Sequence, residues 1–230
     1  MKGSLSVDQP GVRNAINSYF LRTSGGEKRF RIMSPYKLFP EARQLESQFD
    51  QVKSEVLALV GRRDLPQYRD IDPVRAAEVS DNWRLYYAYM LGVANPKARE
   101  DCPTILSFAE RTPKVVNAMI SVLEPGVKLN AHNGPYAGIL RYHLAIMVPR
   151  RNPPRLRVDT EHYTWREGES VLIDDTFEHE VSNESEEDRI VVIIDIRRPM
   201  GILRDRVNLA SLRLKRKWSG QFINGTNGDI

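Results

Sequence analysis

The N-terminal third of the chain spaces its apolar residues with the period of an α-helix. The clearest run predicts one helix over about residues 41–60, and Gly61 is placed to end it. Its apolar face comprises Leu45, Phe49, Val52, Val56, Leu59 and Val60. An earlier set with helical spacing comprises Val12, Ile16, Tyr19 and Phe20. Residues 62–80 are charged and contain two prolines, which indicates a loop with at most one short helix.

After Asp81 the apolar residues alternate with period two, and aromatic and β-branched residues become frequent. Turn signals such as Glu124-Pro125-Gly126 separate short runs, which is typical of an antiparallel sandwich or jelly roll. The predicted strands are Trp83–Met90, Met119–Leu123, Ile139–Val148, Leu156–Val158, His162–Trp165, Val171–Ile173 and Ile190–Ile196. We expect a helical bracing segment over 1–80, a β core over 81–215 and a flexible tail over 216–230.

Composition predicts a soluble protein of the cytoplasm. Hydrophobic residues make up 41% of the chain and charged residues 28%, values typical of globular proteins. No apolar run reaches the roughly 18 residues of a transmembrane helix, and the N-terminus leads into no signal-peptide core. A single cysteine, Cys102, excludes an internal disulfide. Without a nearby Cys or His it reads as a buried structural thiol.

The chain is basic, with a net charge of +4 and a pI of about 9.2. Part of the excess is local, in the run Arg213-Leu214-Lys215-Arg216-Lys217. Nucleic-acid binders interleave aromatic residues with such a stripe or carry a reading module, and neither is present, so we expect no nucleic-acid partner. The run is interpreted first as a solvated face; contact with an acidic partner, a phosphate or a membrane surface is the alternative.

All four histidines of the chain, His132, His143, His162 and His179, lie within positions 132–179. Two imidazoles with buried arginines suit an iron site that holds an anionic co-substrate. Oxygenases of this kind normally bind iron through His-x-Asp/Glu and a distant His, but here Gly134 stands in place of the acid. Taken singly, His132 and His179 would more often be structural, as would His162 and the adjacent acids Asp174-Asp175, which resemble turn and cap residues.

Strand alternation over Ile139–Val148 puts Ile139, Arg141 and His143 on one face. Charged and apolar residues on the same face are unusual for a plain core. The two side chains Arg141 and His143 therefore point into a polar cavity or out to solvent, and the pattern alone favours solvent.

Six local sequences, in order and at compatible spacing, resemble the aspartyl/asparaginyl β-hydroxylase family over roughly residues 100–200. They are Ser121-Val122-Leu123-Glu124-Pro125-Gly126, His132-Asn133-Gly134-Pro135, Leu140-Arg141-Tyr142-His143-Leu144, Trp165-Arg166-Glu167-Gly168, Asp174-Asp175-Thr176-Phe177-Glu178-His179-Glu180-Val181 and Arg189.

The resemblance implies a mainly β (α+β) double-stranded β-helix, a jelly roll of the cupin-like kind braced by N-terminal helices. It implies that Fe(II), 2-oxoglutarate and O2 are used. His132 and His179 would bind the iron. The co-substrate 2-oxoglutarate would be held by four residues: Ser121, Arg141, His143 and Arg189.

Two positions separate branches of the family. Gly134 resembles the animal aspartyl/asparaginyl hydroxylases, and would leave a coordination position for water or chloride. Ile139 stands where those enzymes carry a substrate-gripping arginine, and here resembles the bacterial lipid A 2-hydroxylases. An apolar side chain at position 139 of the pocket predicts an aliphatic or neutral substrate carbon, because it would leave an acidic group unpaired.

The expected reaction is hydroxylation of an unactivated C–H bond, with release of succinate and CO2. The substrate would be an amino acid or peptidyl residue, an acyl chain or a small secondary metabolite. Two alternatives remain: a halogenase with chloride at the position left open by Gly134, and a β-helix binding module that has lost catalysis.

Overall fold

Two antiparallel sheets face each other in the computed structural model, which describes residues 10–62, 65–71 and 82–218. The larger sheet has the strand order β1-β9-β6-β11-β4-β2-β3 and the smaller one β5-β10-β7-β8. This is the predicted double-stranded β-helix. The strands are β1 (Ile32–Met33), β2 (Trp83–Met90), β3 (Val93–Ala94), β4 (Val115–Leu123), β5 (Lys128–His132), β6 (Ile139–Met147), β7 (Arg155–Val158), β8 (Glu161–Thr164), β9 (Ser170–Ile173), β10 (His179–Ser182) and β11 (Arg189–Arg197).

Helices cover the outer face of the larger sheet, and a helix also lies at each end of the described chain. They are α1 (Pro10–Thr23), α2 (Ala42–Glu46), α3 (Phe49–Arg62), α4 (Tyr68–Ile71), α5 (Ala98–Asp101), α6 (Pro103–Arg111) and α7 (Ile202–Trp218). Two 3-10 turns, Gly26–Lys28 and Pro35–Lys37, lie on either side of β1. No helix in the described ranges is both long and apolar enough to cross a bilayer.

Alternation along the central strands of the larger sheet creates two cores. Val192 and Ile194 of β11 face outward and pack with the apolar faces of α3 and α6. Val191 and Ile193 face inward and pack against the smaller sheet. Each such side chain stabilises the fold by about 1.5–3 kcal/mol on burial. The inward face is also the one that carries the polar residues of the candidate site.

The strand predictions agree with the structure to within a few residues, whereas several other elements differ. The predicted helix over 41–60 is two helices, α2 and α3, which are separated at Ser47–Gln48; Gly61 lies inside α3 rather than ending it. The predicted tail begins inside α7, because residues 216–218 are helical. Residues 219–230 and most of the predicted loop after Ile71 lie outside the described residues. Cys102 is a free buried thiol, as expected.

Candidate metal centre

The two predicted iron ligands lie directly opposite each other on neighbouring strands. His132 ends β5 and His179 begins β10, and they are cross-strand partners in the smaller sheet. Their ring centroids are 4.3 Å apart. His179 is buried and His132 half-buried. Because paired residues on adjacent strands point to the same side of the sheet, both imidazoles face the space between the sheets.

Both rings are held by the same kind of contact, between Nδ1 and the backbone carbonyl oxygen two residues earlier. The Nδ1 atom of His132 lies 2.7 Å from the carbonyl oxygen of Asn130, and that of His179 lies 3.0 Å from the carbonyl oxygen of Phe177. A carbonyl oxygen only accepts, so each Nδ1 carries the proton and donates it, which leaves the Nε2 lone pair for a ligand. Burial and the nearby His132 lower the pKa of His179 to about 3, so this ring stays neutral, as metal ligation requires.

Gly134 has no side chain because Asp175 occupies the space. A Cβ at position 134 would lie 2.5 Å from Cγ of Asp175 and 2.6 Å from each carboxylate oxygen. The amide of Gly134 also donates to the backbone oxygen of Asp175, at 2.7 Å. The position that the sequence left open is therefore filled by a carboxylate from the loop before β10.

The carboxylate of Asp175 is fully buried, and neither of its oxygens has a hydrogen-bond partner among the described residues. Its nearest cation is Nη1 of Arg141, 3.4 Å away. Burial raises the pKa of Asp175 to about 6, against the opposing charge of Arg141. Within the described ranges no three His, Cys, Asp or Glu side chains form a group that could hold a metal, so the two histidines stand as a pair.

The neighbouring acid, Asp174, has the structural role expected of it. Arg198 donates to both of its oxygens at 2.7 Å, and Nε of Arg29 donates at 2.9 Å. The hydroxyl of Thr176 also donates to it, which closes the turn. Burial raises the pKa of Asp174, but the contacts with Arg198 outweigh it and hold the pKa below its ordinary value. The sequence interpretation that treated both acids as turn residues is thus right for Asp174 and misses Asp175.

Arg141 lies in the polar cavity rather than in solvent, contrary to the expectation from alternation alone. Its Nε donates to Oδ1 of Asp195 at 2.8 Å and its Nη2 to Oδ2 at 3.2 Å. With Asp175 as a second acidic neighbour, its charge is already balanced, and its pKa is held above the ordinary value. Asp195 was not predicted, although an acid within the apolar run 190–196 was a usable signal.

A second cluster on the inward face surrounds Trp165. The guanidinium of Arg189 lies 4.8 Å from the Trp165 ring centroid, and the His143 ring stacks on the same indole at 5.8 Å. Ser121, on the neighbouring strand β4, accepts a hydrogen bond from Trp83 at 2.9 Å. Strand pairing places Ser121, His143 and Arg189 on one face of the larger sheet.

The cluster is rich in buried polar atoms without partners. Nε of Arg189, both ring nitrogens of His143 and Nε1 of Trp165 make no hydrogen bond in the described structure. No described acid pairs with Arg189, and burial lowers its pKa to about 9. Burial also lowers the pKa of His143 well below its ordinary value, with the charge of Arg189 acting in the same direction. Buried donors left unpaired are costly, so this cluster has the chemistry of an anion site.

A cavity of about 220 Å³ connects the imidazole pair to an apolar wall. Its lining includes His132, His179, Gly134, Arg141 and Ile139. Aromatic and aliphatic residues that complete it include Trp83, Leu85, Tyr87, Val116, Met119, Tyr136, Ile193 and Leu212. Ser121, His143 and Arg189 are not part of this described lining. His162 is exposed on β8, apart from both clusters.

Comparison of the sequence with known proteins identifies one family. The sequence profile of the aspartyl/asparaginyl β-hydroxylase family matches residues 46–199. The ornithine lipid ester-linked acyl 2-hydroxylase of Rhizobium tropici is 32% identical over 76% of this chain and 64% of its own length. The human aspartyl/asparaginyl β-hydroxylase is 28% identical over 51% of this chain and 16% of its own. The chain thus spans less than two thirds of either relative. A cupin barrel protein from Salinispora arenicola overlays 62% of this chain and 94% of its own, with 16% identity and a TM-score of 0.36.

Proposed function

Because the chain belongs to the aspartyl/asparaginyl β-hydroxylase family, we propose that it is an Fe(II)- and 2-oxoglutarate-dependent hydroxylase of an unactivated C–H bond. The observation that carries this proposal is the pair His132 and His179, whose Nδ1 atoms are both tied to backbone carbonyls. Two imidazoles held in this way on one side of a cavity suit iron.

One set of residues suits the metal and a separate set suits the co-substrate. His132 and His179 would hold Fe(II), which together with 2-oxoglutarate supplies the oxidation of the C–H bond by O2, with succinate and CO2 as co-products. Arg189 would pair with a carboxylate of 2-oxoglutarate, since it is a buried cation without an acidic partner in the described structure. Ser121 and His143 lie on the same face and would complete that binding site.

Arg141 takes a different role from the one that the resemblance implies. Its guanidinium is held by Asp195 and lies beside Asp175, so little of its charge remains for a dianion. We assign it to positioning: it keeps the Asp175 carboxylate in the space next to Gly134. With a pKa of about 6, Asp175 can hold a proton at a carboxylate oxygen or accept a hydrogen bond near the imidazole pair.

The cavity wall favours an aliphatic or neutral substrate carbon. Ile139, Met119 and Ile193 give an apolar surface, and the polar groups lie toward the histidines. The reacting carbon of an acyl chain, a neutral side chain or a small metabolite suits such a wall. An aspartyl side chain placed against Ile139 would lack a cationic partner there, so we expect poor turnover of aspartyl peptides.

Halogenation is less well supported than hydroxylation. The Asp175 carboxylate fills the space beside Gly134 and would repel a chloride ion there whenever it is ionised. A binding module without catalysis is also less well supported, because the chain keeps both histidines, Arg141 and Arg189, the residues that the proposed reaction uses.

The test is an aerobic turnover assay with Fe(II) and 2-oxoglutarate against acyl lipids, neutral peptides and aspartyl peptides. Succinate formation that depends on a substrate, with a product that has gained one oxygen atom, is the expected result. A product in which chlorine replaces hydrogen would identify a halogenase. Binding of both cofactors without turnover on any of these classes would contradict the proposed activity.

A further inference from the structure

The outer face of α7 carries apolar side chains that no other part of the described structure covers. Leu203, Val207, Ala210 and Leu214 follow one another at helical spacing, so they form a single stripe along the helix. Leu203 is 72% exposed and Leu214 is 45% exposed. Ile202, at the start of the helix, is 80% exposed. A large exposed side chain alone is ordinary, whereas an aligned series on one helix indicates a contact surface.

Positive charge borders this stripe. Arg206 and Arg213 are exposed, and on a helical projection both lie along one side of it. Neither makes an ion pair with any described residue. The helix has a single acid, Asp205, and it is turned toward the body of the protein, where Arg197 pairs with it at 2.6 Å. The outward face of α7 is therefore apolar and cationic, without compensating acids.

The opposite face of α7 is anchored firmly beside the cavity. Asn208 is buried, accepts a hydrogen bond from the hydroxyl of Tyr136 at 2.7 Å and donates to the carbonyl of Gly138 at 2.7 Å. A side chain at Gly138 would collide with Asn208, so the glycine permits this close approach. Leu212 and Lys215 of the same helix line the cavity. One helix thus has a fixed inner face at the cavity and an unpartnered outer face.

We propose that the outer face of α7 is an interfacial helix that docks the protein on an anionic lipid bilayer. Helices that lie in the plane of a membrane combine an apolar stripe with flanking Lys and Arg residues, as this one does. With 17 residues and many charges, α7 would lie on the surface rather than cross it. Docking would hold the cavity wall at Leu212 within about one helix diameter, ~10 Å, of the bilayer; that consequence for an acyl substrate rests on the proposed function, but docking itself does not.

A second copy of the chain fits this surface less well. An antiparallel two-fold contact through the stripe would pack two copies of the same face and bring the arginines of one helix toward those of the other. Like charges facing each other across an interface oppose association, whereas anionic headgroups neutralise them. The charge pattern therefore favours the bilayer over self-association.

The test is co-sedimentation of the full-length protein with lipid vesicles, without iron or co-substrate, so that it is independent of catalysis. We expect binding to phosphatidylcholine vesicles that contain phosphatidylglycerol and little binding to phosphatidylcholine alone. Raising the salt to ~1 M shortens the screening length to ~3 Å and should weaken binding. The double variant Leu203→Ser, Leu214→Ser should lower the partition coefficient by about tenfold or more. Arg206→Gln with Arg213→Gln should do so by a similar factor.

Matched controls remove the same side chains elsewhere. Leu57→Ser removes an exposed leucine of α3, and Arg150→Gln with Arg151→Gln removes two exposed charges from the loop after β6. These variants should bind as the wild type does, and all variants should melt cooperatively. No binding of the wild type to anionic vesicles would overturn the proposal, as would an equal loss in the controls. A dimer in sedimentation that the leucine variant dissociates, together with no vesicle binding, would assign the stripe to a second copy instead.

Discussion

At the scale of single residues, Gly134 and Asp175 compete for one space. The Cβ atom of an alanine at position 134 would lie 2.5 Å from Cγ of Asp175. That is about half an ångström shorter than the shortest contact that a Cβ atom normally makes. Gly134→Ala should therefore lower the free energy of unfolding by roughly 1–3 kcal/mol, the usual cost of overpacking. Adding Asp175→Ala should recover much of this loss, because the collision partner is gone. Chemical denaturation of the four proteins measures the coupling.

Gly61→Ala is the matched control for the glycine substitution in this double-mutant comparison. Position 61 lies within α3, and a Cβ there meets nothing within 4 Å. Replacing a helical glycine should leave stability unchanged or raise it by up to about 1 kcal/mol. If the effects of Gly134→Ala and Asp175→Ala on the free energy of unfolding simply add, the two side chains do not share one space, because additivity is the behaviour of independent sites.

Arg189 carries the co-substrate assignment. Its guanidinium is buried and lies against Trp165 without an acidic partner in the described structure, so a bound carboxylate would be its counter-ion. Arg189→Ala should weaken 2-oxoglutarate binding by about 3–5 kcal/mol, and Arg189→Lys should recover little because it lacks the bidentate fork. Isothermal titration measures both.

The exposed Arg166, beside Trp165, is the control for this substitution, and Arg166→Ala should bind 2-oxoglutarate normally. The pH dependence gives an independent readout. Because burial lowers the pKa of Arg189 to about 9, affinity should be constant below that pH and fall as the pH rises through it. A bound anion favours the cation and would move the midpoint upward. Wild-type affinity in Arg189→Ala would remove Arg189 from the site.

At the scale of elements, the Asp174 ion pairs join three segments. Arg29 precedes β1, Arg198 follows β11, and Asp174 begins the loop that leads to His179 in β10. Asp174→Asn should destabilise the fold by about 3–5 kcal/mol, because two buried guanidinium groups lose their counter-ion. Asp159→Asn, which breaks the partly exposed pair with Arg31, should cost no more than about 1 kcal/mol.

The loss of stability caused by Asp174→Asn should depend on pH in one direction. The folded pKa of Asp174 lies below its ordinary value, so its contribution is present above the unfolded pKa of about 3.9 and is lost as the pH falls through the folded pKa. Wild type and Asp174→Asn should therefore converge in stability at low pH, as followed by thermal melts. A difference that persists unchanged into acid would contradict an ionic role.

Pattern alone predicted the long strands and missed the short ones that carry the ligands. β4, β6 and β11 are long and buried on both faces, so each gives a nearly continuous run of apolar and β-branched residues that is easy to detect. β5 and β10 have five and four residues and are partly exposed, so their apolar signal is short. The family motifs, rather than periodicity, led to His132 and His179. No local pattern placed Asp175 beside Gly134, since that contact joins positions 41 residues apart in the chain.

At the scale of the whole molecule, the two-sheet architecture explains why residues from distant motifs meet. The larger sheet supplies Ser121, His143 and Arg189, and the smaller sheet supplies the two histidines. The helical third braces the outer face and contributes Arg29 to the loop before β10. α7, whose basic run 213–217 was expected to be a solvated face, closes one side of the cavity.

The central claim is that His132 and His179 bind Fe(II), and anaerobic Fe(II) titration of the full-length protein tests it most directly. Wild type and His162→Ala, which removes an exposed histidine on β8, should each bind one Fe(II) tightly. His132→Ala and His179→Ala should each lose that binding, because a site with two protein ligands has no redundancy. Fe(II) affinity in either variant equal to that of the wild type would contradict the account.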